Sequence, residues 1–153
     1  MNAPAQHTFS HTFRVRYAEV DPQAVVFNAR YLEYADLVVT EFWRDIGLHF
    51  SGEGALEFHV VRAEVDFIQP IRADELVEGR ATTARIGSSS VTTEIELWGT
   101  GKGRDRHGIE PKADLRARMT LVNVHVDLET GKPMPIPDSA RTALQPKLES
   151  HKS

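Results

Sequence analysis

Asp21 is followed by Pro22 and lies seven residues ahead of Asn28, where apolar residues begin to recur at helical spacing. A carboxylate in a tight turn beside a helix N-terminus has chemical consequences. The first N–H groups of a helix lack intrahelical partners and carry partial positive charge, so they stabilise a developing oxyanion. A carboxylate next to such amides can attack an acyl carbon itself, or take a proton from an attacking water. The same residues also suit a purely structural role, because Asp-Pro readily starts an Asx-type turn. Position alone leaves both readings open.

Other chemistries lose their main support. The sequence contains no GxGxxG, P-loop, HExxH or GxSxG pattern, which removes the usual signatures of nicotinamide enzymes, nucleotide hydrolases, zincins and α/β-hydrolases. It has no cysteine, hence no disulfide, thiolate ligand or cysteine nucleophile. Its seven histidines stand at no convincing metal-ligand spacing, and neither a metal nor a cofactor is expected. A net charge of −4 gives no broad attraction to a polyanion, so no nucleic-acid partner is expected, and phosphates must be held by a few local groups. No apolar run approaches the roughly 20 residues that span a bilayer. MNAPAQHT also lacks the charged start and apolar stretch of a secretory leader. The expectation is a soluble cytoplasmic protein with no membrane partner.

The elements that position Asp21 follow from periodicity. Phe9, His11, Phe13, Val15 and Tyr17 alternate with polar residues, predicting a half-buried strand. Tyr31, Ala35, Val38, Phe42 and Ile46 then recur at steps of four, three, four and four. They form one apolar face of a long helix over about Asn28–Ile46, with Asn28 as N-cap and Gly47 as stop. Further strands are read at Val61–Phe67, about Leu76–Ile86, Val91–Leu97 and Leu115–Asp127. Gly99–Asp114 is a polar, glycine-rich loop, and a short helix is expected around Ser139–Leu144. One strand, one long helix and four strands with hairpin spacing predict an α+β fold, an antiparallel sheet with the helix on one face. No internal repeat or second domain is read in residues 1–153, with an ordered core over about 9–144 and frayed final residues LESHKS.

The segment DPQAVVFNARYLEYAD resembles the signature of the 4-hydroxybenzoyl-CoA thioesterase family: an aspartate, a short apolar stretch, then Asn-x-x-Tyr leading into a helix. VVRAEVDFIQPIRADE resembles the family's second strand and the acidic turn after it. IGSSSVTTEIEL and NVHVDLETGKPMPIP resemble its third-to-fourth strand turn and its last strand and tail. The resemblance covers roughly residues 9–140 and implies a hotdog fold, a five-stranded sheet wrapped around one long helix. It implies hydrolysis of an acyl-CoA thioester without a cofactor. It also implies a homodimer joined edge to edge through the sheets, with dimers pairing into tetramers and active sites at the dimer interface.

Carried over by residue, Asp21 matches the catalytic aspartate, as nucleophile or general base. Asn28 falls where a backbone amide polarises the thioester carbonyl. Tyr31 matches the motif tyrosine, as a core aromatic or a substrate contact. Val61 and Ala63 of the facing subunit are candidates to line the acyl pocket, or plain strand core. Two departures stand out. Ala24 replaces a usual glycine, and Val25 and Asn28 stand where some relatives place a histidine. Where some relatives place basic residues for the CoA phosphates, this chain has Gly87 to Ser90. Ser89 and Ser90 become the candidate contacts there, with Arg85 and Lys102 either assisting or simply solvated. A hotdog protein that binds acyl thioesters without turnover is the alternative. A hotdog hydratase is disfavoured by the missing histidine.

Overall fold

The run Leu76–Ile86 gives one of the weaker strand signals in the sequence, and in the computed structural model it forms β3 over those same residues. Residues 9–103, 108 and 110–146 are described. MNAPAQHT, the terminal LESHKS and the middle of the glycine-rich loop lie outside them. The remaining strands are β1 (Phe9–Arg14), β2 (Phe58–Phe67), β4 (Ser90–Gly99) and β5 (Leu115–His125). They build one sheet in the order β1-β3-β4-β5-β2, with every neighbouring pair antiparallel. The long helix α1 (Arg30–Asp45) packs on one face, and the short α2 (Asp138–Leu144) follows β5. This is the architecture that the resemblance implies.

The core is the meeting of two periodicities. Val77, Ala81, Val91, Ile95, Leu97 and Met119 turn one face of the sheet toward α1, each at most 2% exposed. The helix answers with Tyr31, Tyr34, Ala35, Val38, Val39, Phe42 and Trp43, the stripe expected at 3.6 residues per turn. Fully burying one such side chain contributes about 1.5–3 kcal/mol. Contact is tightest at Gly79, where a Cβ would run into the side chain of Val38. Phe42 stacks on Phe9 of β1 at 5.5 Å, while Trp43 meets Phe58 of β2 at 4.9 Å. One helix thereby touches both outer strands. It ends in a Schellman motif: Gly47 (φ +88°) donates to Arg44 O, and buried Leu48 donates to Trp43 O at 3.0 Å.

Three sequence expectations are corrected. The first strand stops at Arg14, because Val15 N turns to Glu75 O at 2.9 Å. Tyr17–Glu19 is then a single 3₁₀ turn, with Tyr17 71% exposed. The long helix starts at Arg30, and Asn28 is not its cap. Ala29 precedes it with helical dihedrals, and Arg30 N reaches Phe27 O at 2.9 Å, so a turn of backbone replaces a side-chain cap. Finally, β2 begins at Phe58 and carries a bulge between Val60 and Arg62. Phe58, Val60, Ala63 and Val65 pair with the buried row His125, Asn123, Leu121 and Met119. The inward phase switches from even to odd residues at Val61, which has no cross-strand partner.

Candidate active site

Between the 3₁₀ turn and α1 the chain folds back on itself. Phe27 N donates to Glu19 O at 3.0 Å, Val20 pairs with Val26, and Asp21 N donates to Val25 O at 2.8 Å. Pro22 and Gln23 form the tip, closed by Ala24 N on Asp21 O at 2.9 Å. The geometry requires a left-handed residue next, and Ala24 supplies it at φ +66°. A side chain there costs roughly 1–2 kcal/mol that glycine would not. Alanine thus occupies the left-handed position where glycine is usual.

Asp21 realises the Asx turn: its Oδ1 accepts from Gln23 N at 2.8 Å. That bond engages one oxygen. The other has no hydrogen-bond partner among the described residues, and the side chain is only partly buried. Turn-maker and reactive carboxylate are thus compatible roles for one residue.

Glu19 fixes this loop to its surroundings. The residue is 6% exposed, and its Oε1 accepts from Arg16 N at 2.8 Å and from the Tyr34 hydroxyl at 3.2 Å. One carboxylate therefore holds the chain before the loop and the second turn of α1, while its backbone carbonyl holds Phe27 after the loop. Burial, and then the Glu19 charge, push the Tyr34 hydroxyl far above the ordinary phenol range, so it stays a donor. Nothing in the sequence distinguishes Glu19 from a solvated acid.

On the other side of the loop lies the start of α1. Neither Asn28 N nor Ala29 N donates to any described residue. The Ala29 amide, at the N-cap, is one of those that a helix N-terminus offers to an anion, and Asn28 precedes the cap. Asn28 also lines a cleft of about 270 Å³ with Val25, Val26, Tyr31, Phe67 and Ile68, with Gln69 and Pro70 at its end. Tyr31 is both core and wall: it is 3% exposed, packs edge-on against Phe67 at 4.8 Å, and still borders the cleft. Burial raises its pKa, so it is no base at neutral pH.

The far wall is anchored by a pair that sequence reading missed. Arg116 and Glu75, 4% and 1% exposed, are joined by two 2.8 Å bonds. The same guanidinium donates to Asp114, to Lys112 O and, at 2.8 Å, to Pro70 O. All five N–H donors of an arginine are thereby used. Val25 pairs with Arg72, and Val26 N donates to Ile71 O at 2.7 Å, which ties the Asp21 loop to the segment that Arg116 holds.

The other expected site residues are not gathered here within one chain. Val61 and Ala63 lie on β2 at the open edge of the sheet, where Val61 is 60% exposed. Ser89 lies in the β3–β4 turn and Ser90 begins β4, at the end of β3 opposite to Leu76 and Asp21. Eleven residues of strand separate the two ends, a span of roughly 35 Å. The backbone of that turn is engaged by Ile136 N on Ser88 O and His125 N on Ser89 O. Arg141 of α2 also donates to Gly87 O at 2.8 Å. A separate groove of about 430 Å³, lined by Glu64, Arg80, Glu94, Glu96 and Arg118 among others, is on the opposite face of the sheet from α1.

Comparison with known proteins gives a consistent picture. A model of the thioesterase-like superfamily matches residues 15–144. A probable thioesterase from Bartonella henselae is 28% identical over 87% of this chain and 99% of that one, with a TM-score of 0.65. A thioesterase from Thermus thermophilus, solved with coenzyme A and zinc, is 26% identical over 88% and 90%, with a TM-score of 0.72. A 1,4-dihydroxy-2-naphthoyl-CoA thioesterase from Synechocystis shares the fold at a TM-score of 0.75, with 20% identity over 90% and 96%. No curated protein sequence matches this one.

Proposed function

The chain belongs to the thioesterase-like superfamily and is a thioester hydrolase, and from that premise we propose that it cleaves acyl-CoA thioesters with Asp21 as the reacting carboxylate. One observation carries the assignment. Among the described residues Asp21 has one oxygen held by Gln23 N and one without a hydrogen-bond partner, in a loop fastened to a helix start whose Asn28 and Ala29 amides donate to no described residue. A thioester carbonyl is electrophilic enough for that set. Attack on the carbonyl carbon comes from Asp21 itself, or from a water whose proton Asp21 takes. The carbonyl electrons move onto oxygen, where the Asn28 and Ala29 N–H groups stabilise them. Collapse breaks the C–S bond: by the water route the departing thiolate of CoA takes the proton from Asp21, and by direct attack it leaves as the thiolate. By the first route a mixed anhydride is then hydrolysed to the same acid.

The reading includes a homodimer formed through β2, with dimers pairing into tetramers. Support comes from the open edge of β2, where Val60, Val61 and Phe67 are each more than half exposed beside unpaired backbone. Antiparallel pairing of two such edges would bring Val61 and Ala63 of a second chain toward the cleft with Tyr31. It would also bring that chain's Ser89 and Ser90 to the end of the sheet where Asp21 lies. The same reading keeps the protein in the cytoplasm with its CoA substrate; among the described residues no helix is long and apolar enough to cross a membrane. The test is thiol release from a panel of short, long and aromatic acyl-CoAs. Turnover on at least one class supports the proposal; binding without thiol release would replace it with the non-catalytic alternative.

A further inference from the structure

We propose that Arg72 and Lys112 form an anion subsite of the same chain, taking the phosphate-bearing arm of the thioester substrate. The inference rests on the thioesterase reading but names residues that the reading does not use. Most arginines among the described residues face a carboxylate: Arg14 meets Asp74, Arg30 meets Glu33, Arg118 meets Glu96, and Arg116 meets Glu75 and Asp114. Arg72 and Lys112 have no carboxylate partner among the described residues, and both are exposed.

Both line one groove of about 300 Å³. On its floor two carboxylates, Glu75 and Asp114, are hydrogen-bonded to one saturated guanidinium, Arg116, so that with Arg72 and Lys112 these five groups carry a net charge of +1. Glu110 also borders the groove. The groove and the cleft at the start of α1 share Gln69 and Pro70 as a common boundary. Arg72 is held beside the reactive loop by its pairing with Val25 and by its backbone N–H on Glu75 Oε2 at 2.7 Å.

Two adjoining cavities thus differ in chemistry. The one lined by Asn28 is walled by valine, tyrosine and phenylalanine. Its neighbour carries two cations with no carboxylate partner among the described residues. A substrate with an apolar acyl group at one end and phosphate esters at the other matches that order, the thioester falling between. A guanidinium and an ammonium can each hold a phosphate oxygen by charge-assisted hydrogen bonds.

The experiment is calorimetric titration of free coenzyme A and of pantetheine, which lacks the phosphates, into the wild-type chain and into Arg72→Glu/Lys112→Glu. The double variant is expected to weaken coenzyme A by roughly tenfold or more, as loss of hydrogen bonds to charged groups implies, and to move pantetheine by less than twofold. The wild-type affinity for coenzyme A should fall with added salt. Unchanged coenzyme A affinity in the variant, equal loss for both ligands, or no coenzyme A binding by the wild type would each overturn the subsite. So would a loss seen with Ser89→Ala/Ser90→Ala but not with the charge reversals. Hydrolysis of an N-acetylcysteamine thioester, which carries no phosphate, reports separately on whether the thioesterase reading stands.

Discussion

The Tyr34 hydroxyl donates to the Glu19 carboxylate at 3.2 Å, joining the buried face of α1 to the loop that carries Asp21 two residues later. Glu19 acts through Asp21 and the amides of α1, so it is a positioning residue. Tyr34→Phe removes a donor from a buried charged acceptor, which costs about 1–3 kcal/mol. A small misplacement of reacting groups lowers turnover far more than binding. At a temperature where the variant stays folded, kcat should therefore fall while KM changes little. Glu19→Gln, which keeps an acceptor, should retain more activity than Glu19→Ala. Equal activity in all three variants would show that the bond is only structural.

Ala24 offers a test of the loop geometry. Its left-handed backbone (φ +66°) is strained for alanine and free for glycine. Ala24→Gly should raise stability by about 1 kcal/mol in chemical denaturation. A destabilised variant would mean that the loop does not hold this conformation in solution.

Glu75 and Arg116 test what holds the segment behind the cleft. Breaking a buried pair strands the remaining charge, at about 3–5 kcal/mol. Glu75→Leu should lose stability on that scale. Arg116→Met should lose it too, because Pro70 O and Lys112 O also lose a donor. A loss under about 1 kcal/mol, the value of a surface pair, would contradict the burial seen here.

Edge pairing is tested at β2. Val60→Lys/Val61→Lys puts charge on the open edge, a device that blocks strand pairing. Sedimentation should show monomers in place of dimers, with thiol release lost as the partner's Val61 and Ala63 leave the site. A wild-type chain that sediments as a monomer, or a monomeric variant that remains active, would remove the partner from the mechanism.

How much of this was legible in the sequence depends on whether a signal was local. The strand Val91–Leu97 and the stripe from Tyr31 to Phe42 came through because each repeats its period without interruption. Phe58–Val60 did not: the bulge at Val61 reverses the inward phase, so the strand reads as two unrelated pieces. Asp21 drew attention through its neighbours along the chain. Glu19, Glu75 and Arg116 did not, because a charge is read as solvated until the fold buries it, and Arg116 meets Glu75 from 41 residues away. Ser89 and Ser90 illustrate the converse, since only the strand order reveals that one chain holds them at the far end of the sheet from Asp21.

The central claim is that Asp21 performs the chemistry, and Asp21→Asn tests it most directly. Asparagine can still accept from Gln23 N, so circular dichroism and the denaturation midpoint should be close to wild type. With the acyl-CoA that the wild type turns over best, thiol release should fall by about 10²–10⁴-fold, the range for a lost acid–base or nucleophilic group. A folded Asp21→Asn variant that releases thiol at the wild-type rate would contradict the account.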